Sequence, residues 1–99
     1  MRNATRAAII AALTRINPDD LLFHAARYDS GAKLKDLVYR AHHYPQDIDA
    51  EACIGQIADA CKEDGADWGS IPCLGGEAET IWRGVLLAWG SGDLSGLEA

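Results

Sequence analysis

The chain has 99 residues, 48% hydrophobic and 24% charged, with three prolines, three cysteines and a net charge of −6. That length is one domain with a single modest core. The composition excludes a disordered polymer, no apolar run approaches the ~20 residues of a spanning helix, and the acidic balance disfavours a duplex-binding domain.

The first helix is expected from about Ala4 to Ile16, with Asn3 as its N-cap and Ile9, Ala12, Leu13 and Ile16 as its apolar stripe. Arg2, Arg6 and Arg15 surround the run Ala7–Leu13 with no acid among them, a pattern shared with targeting sequences. The run is short, Arg15 breaks it off, and no small-x-small cleavage signal is present, so an ordinary helix is favoured. Asn17 ends this helix and caps the next. The second helix starts at Pro18, which suits a first helical position, and Asp19 and Asp20 suit the positive end of the helix dipole. Leu21, Leu22, Ala25 and Ala26 are expected to face inward, and Asp29-Ser30-Gly31 to stop the helix.

The third helix is expected from about Ala32 to His43. Leu34, Leu37, Val38 and Ala41 form its buried stripe and leave Lys33, Lys35, Tyr39, Arg40, His42 and His43 mostly outside. Pro45 prevents continuation. The fourth helix has the clearest pattern: Asp47 caps it, Ala50, Cys53, Ile54, Ile57, Ala58 and Cys61 recur at spacings of three and four, and Gly65 is its natural stop. Gly55 lies inside it and suggests a close helix crossing. Ala66–Gly75 reads as a loop whose Trp68 and Ile71 fold back on the core. The fifth helix is expected from about Glu77 to Trp89, with Ala78, Ile81, Trp82, Val85, Leu86 and Trp89 inward and Gly90 closing it. No strand-like alternation occurs. The expected fold is all-α, a compact bundle of about five short helices forming one domain over residues 1–90, with 91–99 as a loose tail.

Few residues suggest chemistry. Cys53 and Cys61 lie eight apart on one helix, roughly 12 Å along its axis and beyond disulfide reach, so reduced thiols in a cytoplasmic protein are expected. Cys53, Cys61, Cys73, His24, His42 and His43 lack the short knuckle spacings of structural zinc. Cys73 is the sensible nucleophile if a Cys/His pair exists at all. The Cys73-Leu74-Gly75-Gly76 turn has no Lys after it to hold a phosphate, and Glu77 and Glu79 would repel one. His42 and His43 point about 100° apart and read as solvated C-terminal histidines rather than a metal pair. No catalytic residue, cofactor or metal is therefore expected. The second helix, the Asp29-Ser30-Gly31 turn and the third helix have the turn length and local positive charge of a helix-turn-helix, with Lys33, Lys35, Tyr39, Arg40 and His43 toward DNA.

Charge is the strongest signal. Residues 1–46 carry seven Lys/Arg and four Asp/Glu, a balance of +3; residues 47–99 carry two and eleven, a balance of −9. Asp49, Gln56, Asp59 and Glu63 fall near one face of the fourth helix, opposite Cys53, Ile57 and Cys61, and Asp64 and Asp67 extend the negative run. Such a dipole steers a small protein onto a charged partner. Phe23, Tyr28 and Tyr39 are the candidate anchors, because interface energy concentrates in a few aromatic or Arg side chains.

Asp19 to Arg27, Ala32 to His43 and the acidic helix Asp47 to Asp64 together resemble the small all-helical phage anti-CRISPR proteins that inhibit the type I-F surveillance complex. The resemblance lies in size, composition and helical layout, and it transfers no functional residue by position. It implies a non-enzymatic inhibitor, a monomer or weak dimer in the host cytoplasm, that docks on basic Cas subunits and hinders guide–target pairing or DNA access, without membrane or direct nucleic-acid binding. An immunity protein that neutralises a basic nuclease toxin and a helix-turn-helix regulator are the alternatives.

Overall fold

The computed structural model describes residues 3–65 and 76–97. Among these the fold is five α-helices with no strand: α1 Asn3–Leu13, α2 Leu22–Arg27, α3 Asp29–His43, α4 Ala50–Asp64 and α5 Gly76–Ser91. Short 3-10 turns at Pro18–Leu21, Pro45–Asp47 and Ser95–Leu97 join or succeed them. The expected all-α bundle is what forms.

The apolar stripes explain the packing. Ile9 and Leu13 of α1, Leu34 and Val38 of α3, Ile54 and Ile57 of α4, and Ile81, Trp82 and Val85 of α5 meet in one core. α1 lies in the middle, touching α3, α4 and α5, while α3 is clasped between α2 and α4. Trp82 is fully buried. Its ring removes on the order of 200 Å² from water, about 5 kcal/mol at 25 cal/mol per Å².

The junctions are fixed by side chains. Asn17 Oδ1 accepts from the Asp19 amide at 3.0 Å and opens the turn at Pro18. Arg6 of α1 donates Nε and Nη2 to the Ile48 carbonyl at 3.1 and 2.6 Å, and Nη2 to the Pro45 carbonyl at 3.2 Å. That clamp holds the entrance of α4 against α1. His42 Nε2 lies 2.8 Å from the Ile16 carbonyl, so this histidine ties α3 to the end of the α1 region instead of being merely solvated. Gly65 ends α4 in the left-handed conformation at φ 77°, as the sequence predicts.

Several expectations are corrected. Asp29-Ser30-Gly31 is the first turn of α3, and the break between α2 and α3 is the extended residue Tyr28. The four residues Pro18–Leu21 wind as a 3-10 turn at three residues per revolution, which shifts the phase of α2. Leu21 still points inward, but Leu22 is 53% exposed and Ala26 is exposed, and His24 takes the inner position. Asp47 closes the second 3-10 turn, so the α4 cap is Asp49, whose Oδ1 accepts from the Ala52 amide at 3.1 Å. A Cβ on Gly55 would meet nothing within 4 Å, so no close crossing exists there. Ala58 and Cys53 are only half-buried, while Ala60 joins the inner face of α4. Gly90 lies within α5, and Gly92 closes it, at φ 75° and with its amide 2.8 Å from the Ala88 carbonyl. Leu94 and Leu97 pack on the core, and Arg15 Nη1 donates to the Leu97 carbonyl at 3.1 Å, so residues 92–97 are not the loose tail expected.

Candidate protein-binding surface

The surface is built on α4 and on the outer side of the α2–α3 pair. Helical periodicity puts Gln56, Asp59 and Glu63 together on the outer side of α4, all three exposed. Asp49 stands at the same side of its N-terminus, where its carboxylate already serves as the cap. Asp59 and Glu63 have no hydrogen-bond or ion-pair partner among the described residues. Residues 49–64 hold five acids (Asp49, Glu51, Asp59, Glu63, Asp64) and one base, Lys62. Exposed carboxylates of this kind lie open to an incoming cation.

Asp64 belongs elsewhere. It is half-buried, and its Oδ2 accepts from the Ser30 amide at 2.9 Å. It therefore caps α3 from the end of α4 and contributes to the fold more than to the outer patch. Asp67 lies outside the described residues, as do Trp68, Ile71, Cys73 and the first part of the Cys73-Leu74-Gly75-Gly76 turn.

The aromatic candidates separate in the same way. Phe23 is 58% exposed, with the Arg27 guanidinium 5.0 Å from its ring centroid. Tyr39 is 48% exposed and its ring lies 4.3 Å from that of His43. Tyr28 is half-buried against His24, ring centroids 5.0 Å apart, and serves the α2–α3 corner. Leu22, Tyr44 and Leu87 are large apolar side chains at the surface that sequence reasoning does not single out. The adjacent pair Leu22-Phe23 carries a usable signal, because a six-residue helix cannot turn both inward.

Two grooves tie these groups together. One, between the Pro18 turn, α2 and α3, is lined by Asp19, Ala25, Lys35 and Tyr39. The other, between α3 and α4, is lined by Lys33, Arg40, Cys53 and Gln56. Ala32 and Asp36 line both, so the grooves flank a single ridge of α3. On that ridge Lys33 pairs with Asp29 at 3.0 Å, and Arg40 Nη1 reaches the Cys53 sulfur at 3.8 Å. Tyr39 and Gln56 thus border opposite sides of one surface, with Asp59 and Glu63 beyond it.

The first turn of α3, which a helix-turn-helix reader would insert in a groove, has Ser30 and Gly31 buried and Asp29 exposed. Among the described residues no group of three His, Cys, Asp or Glu side chains is placed to hold a metal, and no helix is long and apolar enough to cross a membrane. No protein-family model matches the chain, and no curated protein or solved structure does either.

Proposed function

We propose that this protein is a non-enzymatic, stoichiometric inhibitor that docks on a basic protein surface through the outer side of α4. The proposed partner is a CRISPR surveillance complex, whose target-DNA binding or pairing it blocks. The observation that carries the binding mode is the exposed pair Asp59 and Glu63 on an acidic helix, without a partner among the described residues. The identity of the partner rests on the resemblance to the small all-helical anti-CRISPR proteins. Long-range attraction brings the acidic side onto the partner, and Phe23 and Tyr39 supply apolar area once contact is made. Charge of this kind acts mostly on the association rate, and buried aromatics act mostly on dissociation.

The test is binding of the purified protein to a type I-F surveillance complex, read together with target-DNA capture by that complex. Inhibition at one-to-one stoichiometry is expected. Asp59→Lys with Glu63→Lys should slow association by about tenfold at low salt and flatten the salt dependence. Phe23→Ala should speed dissociation. A complex that neither binds the protein nor loses DNA capture refutes the assignment, and rescue of cells from a basic nuclease toxin would replace it with the immunity reading.

A further inference from the structure

α2 is docked through a titratable residue. Of its six residues, His24 is the one that is fully buried, at 0% exposure. Neither ring nitrogen of His24 has a hydrogen-bond partner among the described residues, and Ser30 Oγ, beside Gly31 in the same corner, is likewise buried and unpartnered. The corner has no slack. A Cβ on Gly31 would come within 2.4 Å of His24 Cδ2 and 2.5 Å of the His24 carbonyl oxygen. The Tyr28 ring packs against the imidazole, centroids 5.0 Å apart. Leucine would be the ordinary choice for the one fully buried residue of so short a helix, and histidine makes the anchor sensitive to protons.

The charged group that faces the ring is Asp64 of α4, which attracts a proton toward it. Other charged groups of the adjoining elements are exposed or engaged elsewhere: Asp19 and Asp20 of the Pro18 turn are exposed, Asp29 of α3 pairs with Lys33, and Arg27 of α2 lies over the Phe23 ring. Burial outweighs the pull of Asp64, and the imidazole is held below its ordinary value of 6.5.

We propose that His24 is an acid-sensitive latch, whose protonation expels its ring from the α2–α3 corner and frees α2 while the core formed by α1, α3, α4 and α5 stays folded. The sign comes from linkage. Above the ordinary value of 6.5 both docked and freed states hold a neutral imidazole, and pH has no effect on the latch. Below it the freed state takes up a proton that the docked state refuses. The freed population then grows by up to about tenfold per pH unit, until the docked state titrates too. Phe23 travels with α2. The latch depends on the fold and not on the identity of any partner.

Native-state hydrogen exchange on the intact protein tests this. The probe is the Tyr28 amide, which donates to the His24 carbonyl at 3.0 Å, compared with core amides of α1 and α5. After correction for intrinsic exchange, the opening constant at Tyr28 is expected to rise by about tenfold per pH unit below 6.5 while the core amides do not rise with it. His24→Gln should abolish the slope. A flat profile at Tyr28, loss of core protection in step with α2, or an unchanged slope in H24Q each overturns the latch. If H24Q does not fold, the His24 ring in the unaltered protein decides by NMR titration: a midpoint below the ordinary 6.5 is expected, and one at or above it overturns the proposal.

Discussion

Replacing Gly31 by alanine puts the packing of the α2–α3 corner to a direct test. The new methyl would sit 2.4 Å from His24 Cδ2, 2.5 Å from the His24 carbonyl oxygen and 2.6 Å from its carbonyl carbon. Non-bonded heavy atoms rest at ≈ 3.5 Å or more, so α2 must withdraw by about 1 Å. Two of the three obstacles are backbone atoms, which no rotamer change can move aside. Overpacking of this kind costs roughly 1–3 kcal/mol, and a withdrawal that also loosens His24 lies at or beyond the upper end. Alanine gains about 1 kcal/mol in helix propensity over glycine, which leaves a net loss of about 2 kcal/mol. For a domain of this size that lowers the melting temperature by roughly 10 °C. Gly55→Ala is the matched control, with the same chemical change inside α4 and nothing within 4 Å of the added carbon. It should stabilise by about 0.5–1 kcal/mol. Urea denaturation of both variants reads the two signs. A Gly31→Ala protein as stable as the parent would refute the close contact of α2 with α3, whatever Gly55→Ala does.

Individual contacts set four further outcomes. Arg6→Lys loses the forked donation to Ile48 and Pro45 and should cost about 1–3 kcal/mol in denaturant melts, because an ammonium cannot reproduce the fork. Asp64→Asn keeps an acceptor for the Ser30 amide and removes the charge; stability should change little at neutral pH, while the His24 midpoint in an NMR titration moves lower still. Asp64→Ala removes the cap as well and should cost about 1–2 kcal/mol. In brief alkylation of the native protein with mass mapping of the products, half-buried Cys53 should be modified ahead of Cys61, which is 2% exposed.

The long helices are legible in the sequence because they are long. In each of these 15-residue helices the recurrence of Leu34, Leu37, Val38 and Ala41, or of Ala50, Ile54, Ile57 and Cys61, extends over about two to three turns and fixes both the element and its phase. α2 reads out of phase because fewer than two turns cannot define one, and because the preceding 3-10 turn winds faster than an α-helix. Local capping rules place Asn17 and Gly65 correctly but favour Asp47 over Asp49, since both acids precede the same apolar stripe and Pro45 claims the first for its own turn. In the candidate surface, Gln56, Asp59 and Glu63 emerge from periodicity alone. The role of Asp64 does not, because the amide it caps lies 34 residues away and meets it only when the end of α4 packs on the start of α3.

That long-range cap alters how the helices come apart. A helix ordinarily frays from its ends independently of its neighbours, one terminal turn at a time. Here the last turn of α4 supplies the side chain that finishes the first turn of α3, so the two ends share one fate. Melting of α4 backwards from Gly65 strips the cap from Ser30, and fraying of α3 at Asp29 releases Asp64. The start of α3 and the end of α4 are therefore coupled, and opening of either one weakens the other. A substitution in the final turn of α4 would thus be felt also in the protection of the first turn of α3, at the opposite end of the hairpin in sequence.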